Sequence, residues 1–460
     1  MPVSAIDSLL FKNLFGTEEV RKIFEDKNYI DNCVLVEKNL AYAQAFHHVI
    51  PYEAAQTILH QCGKSLDYDR LAQETEVVGY PILPLVTQLA QECGEEAGKY
   101  VHWGATTQDI QDTATMMQMR DALICVEARL KAIIKTLSSL AEKYRDTPMA
   151  GRTHLQHALP VTFGYKCAVY LSSFQRHLER LGQLRPRCLL VQFGGAAGTL
   201  ASLGPDTETS LKVRKKLAQQ HGLEDPPLTW HTSRDGVAEI INFLALVGGT
   251  LGKVATDLII MSSNEFGEVS EPFVSHRGAS STMPQKRNPI SNEVILAASK
   301  MLRANAGLCL DAMLTDFERA TGPWHLEWAA IPESFVLAVG ALSQAEFALS
   351  GLIVNVDAMK RNLDSTRGLI VAEAVMMEAA KTMGRQRAHE MVYEACRETI
   401  ESSDPERTLL ETLSKKKDVI DTVPREKLEE LCKPKNYLGA AGAMVDAVLA
   451  LNDHYLCGSE

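Results

Sequence analysis

Between Met116 and Tyr144 the apolar residues fall at Met116, Met119, Leu123, Val126, Leu130, Ile133, Leu137, Leu140 and Tyr144, in steps of three and four. Steps of that size bring all of these side chains to one face of an α-helix, so the stretch predicts a long helix with a continuous apolar seam. At 1.5 Å per residue such a helix is about 50 Å long, more than a single compact bundle needs. The same steps recur at Val237, Ile240, Leu244, Val247, Leu251, Val254 and Leu258, and in shorter form at Cys167, Leu171, Phe174, Leu178 and Leu181. Several seamed helices in one chain predict a helical bundle that self-associates through these helices. Gly248, Gly249 and Gly252 fall within the second seam. Each costs an isolated helix about 1 kcal/mol against alanine, and close helix contacts are the expected compensation.

A chain of 460 residues exceeds one ordinary domain, so two or three regions sharing a core are expected. With 46% hydrophobic and 23% charged residues, it has the composition of a folded globular protein. The net charge of −11 argues against a nucleic-acid partner, because neutralising phosphates needs a basic face. An anionic small molecule would need a local cluster of positive groups. The ten cysteines are scattered singly, without a CxxC pair, and "MPVSAIDSLLFKNLFG" lacks a secretory leader pattern, which together predict a reducing, cytoplasmic setting. The longest apolar run, Ile240 to Gly252, stops at Lys253, short of the roughly 20 residues of a membrane span. No membrane segment is expected, and no peroxisomal tripeptide ends the chain. Breakers near Pro148, Pro160, Pro186, Gly194 to Gly204, Pro226, Pro272 to Pro289 and Pro405 place the polar segments in loops between helices.

Three such segments carry chemistry: "HWGATTQDIQDTA" from His102, "GRTHLQHALPVTFG" from Gly151 and "GASSTMPQKRNP" from Gly278. The first reads as a helix start, with Thr106, Thr107 or Asp109 capping the amides, and such an end also accepts an anion. In the second, His154 and His157 stand three apart on an expected helix start. They lack an HExxH glutamate and a third ligand, so a buried, hydrogen-bonded histidine is favoured over a metal site. The "GGAAG" from Gly194 does not follow a strand pattern, which argues against a dinucleotide site. Arg234 in "WHTSRD" is either a structural ion pair or a site residue.

Taken together and in this order, the three segments resemble those of the aspartase/fumarase superfamily, whose loop signature is GSSxMPxKxNP, and the resemblance covers nearly the whole chain. "ERATGPWHLEW" from Glu318, "FGGAAGTLASLG" from Phe193 and "GLIVAEAVMM" from Gly368 look most like its carboxymuconate cycloisomerase branch. With "NYLGAAG" from Asn436 they are also similar to the itaconate-forming trans-aconitate decarboxylases. Adenylosuccinate lyases share the loop but carry an arginine-tyrosine and a histidine-aspartate pair where this chain reads "KNYIDNCVL" and "VVGYPILPLV", which speaks against a nucleotide substrate.

The resemblance implies an all-α fold: an N-terminal helical domain (1–112), a central long-helix bundle with the signature loop (113–363) and a C-terminal helical domain (364–460). It implies a homotetramer with active sites shared between subunits, no cofactor and no metal, and a small unsaturated polycarboxylate as substrate. Ser280, with Ser281 beside it, is the implied base, and His154 or His157 the general acid. Lys286 and Asn288 are expected to meet the carboxylate that gains charge. His102, Thr106, Thr107, Gln108, Arg152 and Thr153 are expected to hold substrate carboxylates, and Arg319 and His325 to read the distal group. A non-catalytic, crystallin-like role is the rival from another class, and retention of Ser280, Lys286, Asn288 and His154 weighs against it.

Overall fold

A computed structural model describes residues 4–319 and 321–456; Cys457 and the C-terminal tripeptide considered above lie outside them. In chain order the principal elements are α1 (Asp26–Phe46), α2 (Tyr52–Gln61), α3 (Ile82–Gly98), α4 (Thr107–Lys143), β1 (Pro148–Thr153) and β2 (Gln156–Thr162). They continue with α5 (Phe163–Cys188), α6 (Asp235–Ser262), β3 (Val269–Ser270), α7 (Ile290–Asp311), α8 (Pro323–Ser350), β4 (Ile353–Val354), α9 (Val356–Asp364), α10 (Ala372–Met383) and α11 (Arg385–Glu401). The chain is thus overwhelmingly helical, and its strands form two small antiparallel pairs, β1 with β2 and β3 with β4.

It divides into two compact units, neither continuous in sequence. The first comprises Met1–Arg129, His177–Leu251 and Val294–Ser343; the second comprises Leu130–Arg176, Gly252–Glu293 and Gln344–Glu460. Each long helix from α4 to α8 contributes residues to both.

The seams behave as their spacing predicts. All seven α6 positions from Val237 to Leu258 are buried, as are the α4 positions from Met116 through Leu137. Only Leu140 and Tyr144, at the end of that seam, are half-buried. Helix α8 is apolar around most of its circumference in its middle turns, which are buried accordingly, with Phe335, Leu337, Ala338, Val339 and Leu342 inaccessible. Gly248 fits the close-contact expectation, since an added Cβ would lie 2.8 Å from Leu302 Cδ1. Gly249 does not: it has nothing within 4 Å.

Two further expectations are corrected. Lys253 interrupts the apolar run without ending the helix, so α6 and α8, at 28 residues each, are long and apolar enough to cross a membrane. The share of their most apolar windows buried within the chain is 50% and 67%, as core helices show. Pro186 lies inside the last turn of α5 rather than in a loop, and the helix ends two residues later.

In the second unit a hydrophobic cluster of Val375, Ala379, Val392, Leu409, Leu413, Val419 and Leu428 knits α10 and α11 to the short helices that follow. A smaller cluster seats Ala150 of β1 against Leu363, Ile370, Val371 and Ala374. The hairpin is thereby fixed to the C-terminal region.

Candidate active site

In the first unit the segment from His102 turns sharply into α4. His102 and Gly104 have φ of 62° and 74°, and a Cβ on Gly104 would press on Leu203 at 2.9 Å. His102 donates from Nδ1 to Glu37 Oε1 at 2.6 Å. Burial pulls the imidazole pKa down, but the buried Glu37 carboxylate, by charge and by hydrogen bond, outweighs it and holds the value above normal.

Asp109, expected as a possible cap, is a buried hub. Its carboxylate accepts from Thr106 N (3.0 Å), Gly194 N (3.0 Å) and Gly195 N (2.8 Å), and lies 2.7 Å from His231 Nε2. One side chain therefore ties the helix start to the glycine loop and to the Trp230–His231 segment. Arg319 closes the same corner, donating to Thr106 Oγ1 (2.8 Å) and to the Ala196 carbonyl (2.6 Å). Thr106 and Thr107 remain half-buried. Gln108 belongs to the core instead: it is inaccessible, and its Nε2 donates to the His231 carbonyl at 2.9 Å.

Arg234 is a structural ion pair. Its guanidinium bridges Asp112 (2.8 and 3.0 Å) and Glu327 (2.9 Å from Nε), with a further short contact to Glu327 Oε2. Burial opposes its charge, yet the two carboxylates outweigh that cost and push its pKa further up. Beside this pair His325 is exposed and packs against Trp328 with ring centroids 4.4 Å apart and planes tilted by 53°, within a ring cluster completed by Trp324 and Tyr80.

In the second unit the segment from Gly151 is a hairpin, which corrects the helix start expected for His154 and His157. Thr153 pairs with Gln156, so His154 and Leu155 alone make the turn, both left-handed with φ of 52° and 61°. A two-residue hairpin turn of this hand suits Asn-Gly and strains other residues. Thr153 and His154 consequently sit exposed at the tip. Arg152 and His157 face each other across the strands. Arg152 commits both terminal nitrogens to the buried Glu268 (3.0 and 2.6 Å), which also accepts from Asn362 at 2.8 Å. Its fork is thus spent on anchoring the hairpin. His157 is half-buried, and burial, followed by the Arg152 charge, lowers its pKa below the usual imidazole value.

The signature loop is pinched at its base. Asn288 N donates to the Gly278 carbonyl at 2.9 Å and Ala279 bridges to Arg287. Gly278 has φ of 70°, and a Cβ there would collide with the Asn288 carbonyl, so only glycine fits. Below the pinch, Glu271 accepts from the amides of Ser291 (3.3 Å) and Asn292 (3.0 Å), and Arg277 donates to Ser291 Oγ (2.6 Å) and Gln344 (2.9 Å). Above it, Ser281, Lys286 and most of the loop are exposed, while Ser280 and Asn288 are half-buried. Ser280 Oγ accepts from the backbone amides of Thr282 (3.2 Å) and Met283 (3.1 Å) and lies 3.3 Å from Thr282 Oγ1. Two amide dipoles aimed at one hydroxyl oxygen favour negative charge on it.

Within each unit the structure thus joins Thr106 with Arg319, and Arg152 with His157. The described hydrogen bonds of Ser280 all lie inside its loop. Sequence reading missed Glu37, Asp112, Glu268 and Glu327, partners 65 to 122 positions away from the residues they hold, for which no local pattern exists.

The lyase family's profile matches residues 16–302, and that of the adenylosuccinate lyase C-terminus matches residues 368–448. Trans-aconitate decarboxylase 1 of Mycosarcoma maydis is 45% identical over 95% of this chain and 88% of its own. The 3-carboxy-cis,cis-muconate cycloisomerase of Pseudomonas aeruginosa is 41% identical over 98% of this chain and 97% of its own. Among solved structures, a fumarate lyase from Mesorhizobium sp. BNC1 superposes with a TM-score of 0.88 at 52% identity, covering 95% of this chain and 98% of the other.

Proposed function

The chain belongs to the aspartase/fumarase superfamily and is a lyase of that superfamily, and on that premise we propose that it acts without a cofactor on a small unsaturated polycarboxylate, as a 3-carboxy-cis,cis-muconate cycloisomerase. The observation that carries this reading is the pair of amides on Ser280 Oγ. A serine hydroxyl is a poor base unless its alkoxide is stabilised, and the Thr282 and Met283 N–H groups supply that stabilisation before substrate arrives.

In the lactonising direction a carboxylate oxygen adds to the conjugated double bond. The displaced electron pair passes to the carbon alpha to another carboxylate, giving an aci-carboxylate, and that carbon then takes a proton. In the reverse direction the same carbon loses it, so one group serves both ways, and Ser280 is that group. The obstacle is the second negative charge on an already charged carboxylate. Lys286 and Asn288 donate to it, and a pre-aimed donor of this kind is worth about 3 kcal/mol. One of His154 and His157 first takes the proton of the attacking carboxyl group, which then adds as the carboxylate, and in the reverse direction returns that proton to the departing oxygen. At the start of α4 Thr107 offers its hydroxyl and amide to a second carboxylate, and Thr106, whose amide is committed to Asp109, offers its hydroxyl. Four copies of the chain, pooling their long helices, bring these segments together in shared sites.

A second reading is a trans-aconitate decarboxylase, favoured by the relative of that name at 45% identity. There the carbon–carboxylate bond breaks, carbon dioxide leaves with neither proton nor electron pair, and the pair left behind is protonated. Ser280 would then deliver or relay a proton without abstracting one.

The test is a substrate panel followed by loss of diene absorbance and by release of carbon dioxide. Loss of absorbance with 3-carboxy-cis,cis-muconate and no gas is the expected result; carbon dioxide from trans-aconitate selects the second reading. No turnover with any polycarboxylate would overturn both.

A further inference from the structure

Outside the polar sites, the first unit holds a pair of thiols that the proposed chemistry does not use. Cys62 follows the last residue of α2, and Cys93 lies in α3. Their sulfurs are 3.3 Å apart, and both residues are buried, Cys62 at 1% exposure and Cys93 at 8%. Two sulfurs normally rest farther apart than this, and a disulfide needs them at about 2.05 Å. The gap is therefore little more than an ångström.

The surrounding backbone holds this approach in place. Glu92, beside Cys93, accepts from Gly63 N at 2.6 Å and Ser65 N at 2.5 Å, clamping the turn that follows Cys62 onto α3. On the other side of Cys93, Gly94 has φ of 74° and ψ of 177°, a break in the middle of α3. An added Cβ at Gly94 meets nothing within 4 Å, so that break faces open space and leaves the backbone around Cys93 room to adjust. All nine cysteines among the described residues are free thiols, and among them this pair sets sulfur against sulfur.

We propose that Cys62 and Cys93 form a reversible dithiol–disulfide couple, a modification site that small disulfides such as oxidised glutathione can write and small thiols can erase. Cys93, the more accessible of the two, attacks first: its thiolate displaces one glutathione thiolate and forms a mixed disulfide. Cys62 then gives up its proton and attacks the Cys93 sulfur, forming the internal bond and releasing the second glutathione. In sum two protein thiols are oxidised, one glutathione disulfide is reduced to two thiols, and the two protons pass to the leaving thiolates. The hydrogen bond from Cys62, which outweighs burial, lowers the Cys93 pKa below that of an ordinary thiol and suits it to the first step.

The bond would close a loop of 31 positions and staple α2 to α3, which restricts the unfolded chain more than the folded one. The experiment incubates the folded protein in graded ratios of oxidised to reduced glutathione, quenches with acid, blocks free thiols and maps the peptides by mass. A Cys62–Cys93 linked peptide should appear before any other cysteine reacts and vanish on adding dithiothreitol. Oxidation should raise Tm in the wild type and leave it unchanged in Cys93→Ser. A persistent mixed disulfide on Cys93, a different cysteine pair, or no modification short of unfolding would overturn the proposal. The peptide map needs no variant, so a poorly folding Cys93→Ser does not blunt it.

Discussion

The polar network around Asp109 and the signature loop around Ser280 are equally rich in hydrogen-bonding groups, yet they are built in opposite ways. In the network Asp109, Asp112, His231, Arg234 and Glu327 are all at most 4% exposed, and each carboxylate is met by several donors. In the loop every residue beyond the Gly278–Asn288 pinch is exposed except the half-buried Ser280, whose described hydrogen bonds go to its own neighbours. Burial makes the first region stiff and costly to disturb, because removing one partner strands a charge. Beyond the pinch the loop's described contact with the rest of its unit is Arg287 over the Phe273 ring at 4.7 Å, so it can change position at small cost, as a segment that closes over a ligand must. Substitutions should therefore separate the two: stability falls with the network, turnover with the loop.

The largest effect is expected at Ser280. Ser280→Ala should lower kcat by more than about 10³-fold with little change in KM or Tm, because it removes the proton acceptor and leaves the carboxylate donors. Near wild-type kcat on the true substrate would dissolve the contrast. At the opposite pole, Arg234→Met leaves Asp112 and Glu327 buried and unpaired. It should cost about 3–5 kcal/mol in a denaturant titration, and a loss below about 1 kcal/mol would mean the network is softer than its burial indicates.

The two histidines sharpen the loop side. Whichever of His154→Asn and His157→Asn removes the proton donor should lower kcat about 10²- to 10⁴-fold, and the other much less. Burial lowers the His157 pKa, so if His157 is the donor the upper limb of the kcat–pH profile should lie below the usual imidazole value and be lost in His157→Asn.

The smallest effect concerns His102. Its folded pKa is raised above the unfolded value near 6.5 by Glu37, so its contribution to stability is fully present below that pH. It is lost as pH rises through the folded pKa. Stability should fall over that interval in the wild type, and the slope should flatten in His102→Gln.

The long helices were legible because a three-and-four spacing admits only one reading, and α4 and α6 bury the residues that the spacing nominates. The loop was legible too, since two prolines, a glycine and adjacent hydroxyls crowded into twelve residues leave no apolar three-and-four spacing for a helix to bury. The hairpin was not. His154 and Leu155 carry none of the Asn-Gly chemistry that announces a tight turn, so the segment looked like the start of the helix that in fact begins at Phe163. Gln108 and Arg152 sit in polar segments and so looked available, but distant partners, His231 and Glu268, claim them. Local pattern shows which residues are polar, and tertiary packing decides which of them stay free.

The turn at His154 and Leu155 also bears on how the protein would respond to engineering. A designer optimising this hairpin would write Asn-Gly at its tip, since each ordinary residue held at left-handed φ costs about 1–3 kcal/mol. The histidine test therefore contains its own control. Asparagine is better suited than histidine to the backbone at position 154, so His154→Asn should refold at least as well as the parent, and any turnover it loses belongs to the missing imidazole.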